Sequence, residues 1–159
     1  MKALRVDLRG VADPNECISR VLEVRLSEAL ALAPELETGS KIGLHAFRIA
    51  CKRLRYALER FTSLVPELEA LAQSLALVQN SLGEVHDRDV LLAILPPSLA
   101  VTERTLVAQR QELVEQSKAL WQTARAALMR YSSRRLLEPA PVMAVVDADA
   151  GAGVREHHR

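Results

Sequence analysis

The stretch Leu68-Glu-Ala-Leu71-Ala-Gln-Ser-Leu75-Ala-Leu-Val78-Gln-Asn-Ser-Leu82-Gly-Glu-Val85 sets apolar residues at alternating steps of three and four. Such steps stack side chains on one face of an α-helix, and a face this regular is a seam for neighbouring helices to cover. The helix runs to about Leu95, where Pro96-Pro97 ends it by removing two backbone donors. Upstream, Leu44, Phe47, Cys51, Leu54, Leu58 and Phe61 stripe a second helix from about Lys41 to Ser63, interrupted by Pro66. Before it, Ile18, Leu22, Leu26, Ala29 and Ala33 stripe a first helix closed by Pro34. Asp13 is its cap, Pro14 suits its first position, and Glu16 is spaced to reach back to the cap amide. Residues 35–40, with Gly39, form a connection.

Downstream, a fourth helix from about Ser98 to Leu137 carries Leu106, Leu113, Leu120, Ala124 and Tyr131 along one side. Val107, Val114, Trp121 and Leu128 flank them. Leu4, Val6 and Leu8 alternate with polar residues, as in a short extended arm over residues 3–9, and the Pro- and Gly-dotted residues from Pro139 onward form a loose tail. The expectation is an all-α protein: an antiparallel four-helix bundle in residues 1–137 with an N-terminal arm, and a flexible tail over 138–159.

Composition agrees. Of 159 residues, 26 are Leu and 23 Ala, while Gly (6), Pro (7) and aromatics (5) are scarce, a mixture suited to helices and not to a sandwich or barrel. Cys17 and Cys51 are too few for a disulfide framework and are not in CxxC spacing, which points to a reduced, cytoplasmic setting, and both suit small core positions. The longest charge-free run, Ala70 to Gly83, has 14 residues, too few to cross a membrane. The start, MKALRVDLRG, lacks the apolar centre of a signal peptide.

The net charge of +1 hides segregation. Residues 1–40 carry −2, 41–61 carry +5, 62–100 carry −4, 101–137 carry +4 and the tail −2. On a helical wheel Lys41, His45, Arg48, Lys52, Arg55 and Glu59 share an arc of about 80°, beside the apolar arc of the second helix and not opposite it. The fourth helix repeats the pattern with Arg104, Lys118 and Arg125. Two readings stand here: the cationic chains lie over the core edge, or they converge from two helices on a groove for a polyanion.

Gly83 interrupts a leucine-rich helix at a cost of about 1 kcal/mol, which a close helix crossing would explain. Asp89 falls on the seam, where a carboxylate requires a cation. The arginines of the second helix are the expected partners, with Asp87 and Asp89 holding and orienting them.

Two stretches resemble a known family. His45-Ala-Phe-Arg48-Ile-Ala-Cys-Lys52-Arg53-Leu-Arg55-Tyr56 is similar to the HxxRxxx[KR]RLR signature of the CHAD family, the conserved histidine α-helical domain. Leu82-Gly83-Glu-Val-His86-Asp87-Arg-Asp89-Val90 is similar to its LGxx[RH]DxDV segment. The resemblance covers about residues 14–132. It implies a non-catalytic module that binds inorganic polyphosphate and associates with polyphosphate granules, and it carries the binding role to His45, Arg48, Lys52, Arg53 and Arg55. Lys41, Arg104, Lys118 and Arg125 rest on the wheel alone, and Gly83, His86, Asp87, Asp89 and Tyr56 are assigned orienting roles.

Members of the family usually carry two such halves, whereas the signature occurs once here, so the expectation is a homodimer with two basic faces across a shared channel. Binding near pH 6 is expected to be tighter than near pH 8 if the His45 charge contributes. No cofactor or metal is expected. The rivals are a metal-dependent phosphohydrolase using His45, His86 and Asp87 with Asp147, and a nucleic-acid-binding module. The first suffers from the place of Asp147 in the tail, and the second from a lack of aromatics interleaved with the cations.

Overall fold

All six seam residues of the 68–85 stretch are buried. They lie at the centre of an all-α bundle in the computed structural model, which describes residues 2–137, with side chains to residue 134. The helices are α1 (Pro14–Leu32), the single turn α2 (Glu35–Thr38), α3 (Lys41–Phe61), α4 (Leu68–Ile94) and α5 (Ala100–Leu137). Cross-helix contacts fix the directions. Arg53 of α3 meets Glu28 of α1; Lys41 and His45 of α3 meet Asp89 and His86 of α4, and Ser81 and Asp89 of α4 meet Ser117 and Arg110 of α5, so α3, α4 and α5 run antiparallel in succession. Residues 35–40 are more ordered than a plain connection: α2 buries Leu36, and Gly39 closes it at φ 63°.

Local chemistry sets the ends. Asp13 accepts from the Asn15 amide at α1, and Ser40 accepts from the Gly43 amide at α3. Glu16 does not reach back to the cap as expected; its carboxylate takes Arg20 one turn on, 2.5 Å away. The tight glycine is Gly43, where an added Cβ would fall on the Glu35 and Ser40 side chains. Cys51 is fully buried and burial pushes its thiol up to about 12, while Cys17 is only half-buried. A thiol reagent at pH 8 should therefore label one cysteine in the native protein and two after denaturation, read by mass.

The fourth stripe is rotated from its expected phase. Val114, Ser117, Trp121, Ala124 and Leu128 are buried, with the Trp121 ring edge-on to Phe47 at 5.1 Å. Leu113, Leu120 and Tyr131 sit at the margin, and Val107 is exposed. The cause of that exposure is an overhang. Lys41, at the start of α3, lies level with Asp89, so α4 and α5 run on past α3 and no described helix covers Val90, Ile94, Val101 or Val107.

The N-terminal arm is docked by a buried carboxylate. Glu28 is 2% exposed; it accepts from the Leu4 amide, pairs with Arg25 at 2.7 Å and lies 3.8 Å from Arg53. Arg25 also donates to the Leu4 carbonyl, and Arg20 to that of Asp7. The arm forms no strand. Burial pushes the Glu28 carboxyl up, but the Leu4 amide, the Arg25 guanidinium and the charge of Arg53 outweigh it and hold it below the usual carboxylate range.

Candidate functional site

The basic arc of α3 borders α4. The His45 and His86 rings stand 5.8 Å apart, and Lys41, His45, Arg48, His86 and Asp89 surround a narrow cleft floored by Leu44, Leu82 and Val85. The enclosed volume is about 10 Å³, barely room for one water, so the site is a shallow groove along the surface and not a closed trough. Fourteen residues separate Lys41 from Arg55 on α3, a cationic stripe roughly 21 Å long.

Depth along the groove follows the wheel. Arg48 and Arg55, nearest the core edge, are half-buried, whereas Lys41, His45 and Lys52 are exposed. The buried Nε atoms of Arg48 and Arg55 have no hydrogen-bond acceptor among the described residues, and neither has Nε2 of Gln79 on α4. Each such donor costs about 1–3 kcal/mol while it stays unmet, and an oxygen-rich anion is the natural complement. Arg48 has no carboxylate partner among the described residues, and Arg55 has Glu59 at 3.2 Å. Tyr56 is interleaved with the cations after all. Its ring is 48% exposed, with Lys52 Nζ at 5.5 Å and Arg55 Cζ at 4.8 Å from its centroid, so it steadies two cations and its π surface is already engaged.

Several expectations need correction. Asp89 is held by Arg110 of α5, at 2.7 Å, not by an arginine of α3; Arg110 also donates to the Gly39 carbonyl. Lys41 touches only the backbone carbonyl of Asp89, at 3.5 Å. Asp87 is exposed and forms no ion pair with a described residue, so it orients nothing. Gly83 is not at a close crossing, since an added Cβ would meet no atom within 4 Å. Arg53 stands on the α1 flank of α3, committed towards Glu28.

The three α5 cations expected at the site, Arg104, Lys118 and Arg125, do not converge on the groove. Lys118 pairs with Glu115 at 2.9 Å and with Glu37 of α2 at 3.1 Å, which hold its ammonium pKa above the usual value. Arg104 and Arg125 are exposed on the same side of α5. These cations are separated from the α3 stripe because α5 lies beside α4 and presents that side to α2. Gln79, the one groove donor that charge reading passes over, is neutral; its position one turn before Gly83 was the only signal.

Among the described residues, no three His, Cys, Asp or Glu side chains cluster as metal ligands would, and Asp147 lies outside those residues, as does the 138–159 tail. No described helix is long and apolar enough to cross a membrane. The family model for the CHAD domain matches residues 20–157. No curated protein and no solved structure matches the chain.

Proposed function

The chain belongs to the CHAD domain family, and from that premise we propose that it binds inorganic polyphosphate, without catalysis, along the α3–α4 groove. One observation carries the reading: Arg48 and Arg55 bring buried N–H donors to the groove that no acceptor among the described residues satisfies. A chain of phosphates offers acceptors and negative charge at regular intervals along a stripe of cations. Lys41, His45 and Lys52 would then add exposed positive or donor groups on the rim, and Tyr56 would hold Lys52 and Arg55 in register. Granule association and a cytoplasmic place follow from the same reading.

Two copies of the chain would extend the site. Ile42, Ile94 and Val101 are 85%, 71% and 71% exposed at the end of the bundle beside Lys41, apolar surface that a second copy would cover.

The test is titration of the purified protein with long-chain polyphosphate, with its mass followed by sedimentation at micromolar concentration with and without ligand. With about six phosphates neutralised, affinity should fall by several orders of magnitude over a tenfold rise in salt. Polyphosphate should outcompete single-stranded RNA at matched salt. Absence of binding at low salt would end the reading, equal competition would favour a nucleic-acid module, and a monomeric mass would remove the dimer alone.

A further inference from the structure

The cationic stripe is one wall of the groove; the other wall belongs to α4, and its chemistry is different. Gln79, Gly83 and His86 follow one another at steps of four and three, so they share one face of α4. At one end Gln79 offers a buried Nε2 donor with no acceptor among the described residues. At the other the His86 ring faces His45 across 5.8 Å. Between them Gly83 leaves open space where any other residue would place a side chain. Helix geometry does not require a glycine there, because its φ is not in the left-handed region and nothing crowds it.

Resting on the polyphosphate reading, we infer that Gly83 is a specificity-determining position, a gap in the α4 wall that lets one continuous phosphate chain run from the Arg55–Gln79 end of the groove to the His45–His86 end. Gln79 donates to a phosphoryl oxygen on the way. A ligand that spans both ends gains the effective concentration of linked contacts, whereas a short one engages a single end. The site therefore selects by length, and the selection depends on the absence of a side chain at 83.

The experiment compares long-chain polyphosphate with tripolyphosphate for the wild type, Gly83→Ala, Gly83→Leu and Gln79→Leu, with Tm recorded for each. Gly83→Ala should raise Tm by about 3 °C, because helix propensity improves and no atom stands in the way. Gly83→Leu should keep a wild-type Tm or better, bind tripolyphosphate within about twofold of wild type, and lose at least about tenfold in long-chain affinity. Gln79→Leu should weaken long-chain binding several-fold with no loss of Tm, since it removes an unmet donor.

An unchanged ratio of long-chain to short-chain affinity in Gly83→Leu would overturn the inference. So would a fall in Tm for Gln79→Leu with unchanged binding, which would make that amide a structural partner of the arginines. A wild type that binds neither ligand would instead overturn the polyphosphate reading itself.

Discussion

Arg48→Glu is expected to weaken polyphosphate binding by at least about 100-fold at low salt, and the Arg48→Glu/Arg55→Glu pair to remove it from the measurable range. A hydrogen bond to a charged group contributes about 1.5–3 kcal/mol, which is about 10- to 100-fold in affinity, and reversal adds repulsion to that loss. The guanidinium of Arg48 has no carboxylate partner among the described residues, so its substitution breaks no ion pair among them. Arg48→Met, which keeps the apolar stem over the core edge, should lose about 10-fold or more with little change in Tm. Arg60→Glu is the matched control: it changes net charge equally, yet Arg60 lies exposed and off the basic arc. It should cost only a few-fold. Equal losses for Arg48→Glu and Arg60→Glu, measured by titration at one salt concentration, would show that net charge and not the groove drives binding.

Glu28→Ala is the second large effect, and it falls on stability. The carboxylate is buried and satisfies the Leu4 amide, Arg25 and Arg53 together. Removing one partner of a buried pair costs about 3–5 kcal/mol; Arg25 and Arg53 keep some solvent access, which places this case near 3 kcal/mol. Out of a typical 5–15 kcal/mol, that is a Tm loss of about 10 °C, with the freed arm cleaved sooner by a protease specific for arginine, at Arg5 and Arg9. The same group gives a pH signature. The Glu28 carboxyl sits below its ordinary 4.5 in the folded protein. Its contribution is therefore complete above that ordinary value and disappears as pH falls through the lower folded one. Glu28→Gln should flatten the acid side of the stability curve, measured by denaturant unfolding between pH 3 and 6. An unaltered acid slope would show that the carboxylate does not anchor the arm.

What could be read in advance, and what could not, follows the range of the forces involved. The α4 seam and the apolar arc of α3 are set by residues three and four apart, and periodicity exposes them directly. The α5 stripe failed in phase because two apolar rows one residue apart, Leu106-Leu113-Leu120 and Val107-Val114-Trp121-Leu128, step by seven alike, and periodicity alone does not choose between them. Its true centre includes Ser117, which looks polar in sequence but hides its hydroxyl against the Leu113 carbonyl and Ser81. The groove face of α3 was legible for the same local reason as its core face. The partner of Asp89 was not, since Arg110 reaches it from 21 residues away through the approach of two helices. Glu28 gave no warning either: Arg25 lies one turn before it, but the amide it accepts from belongs to Leu4.

The ring placements give the molecule two separate optical reporters. Its single indole, Trp121, is 2% exposed and wedged against Phe47 in the interior, so its emission follows loss of the packed state and is blind to events at the surface. The Tyr56 phenol is half exposed beneath the two cations it steadies, and an anion that engages those cations alters the field felt by its ultraviolet absorption. Occupancy and integrity can thus be followed in one cuvette at two wavelengths, without attaching a dye.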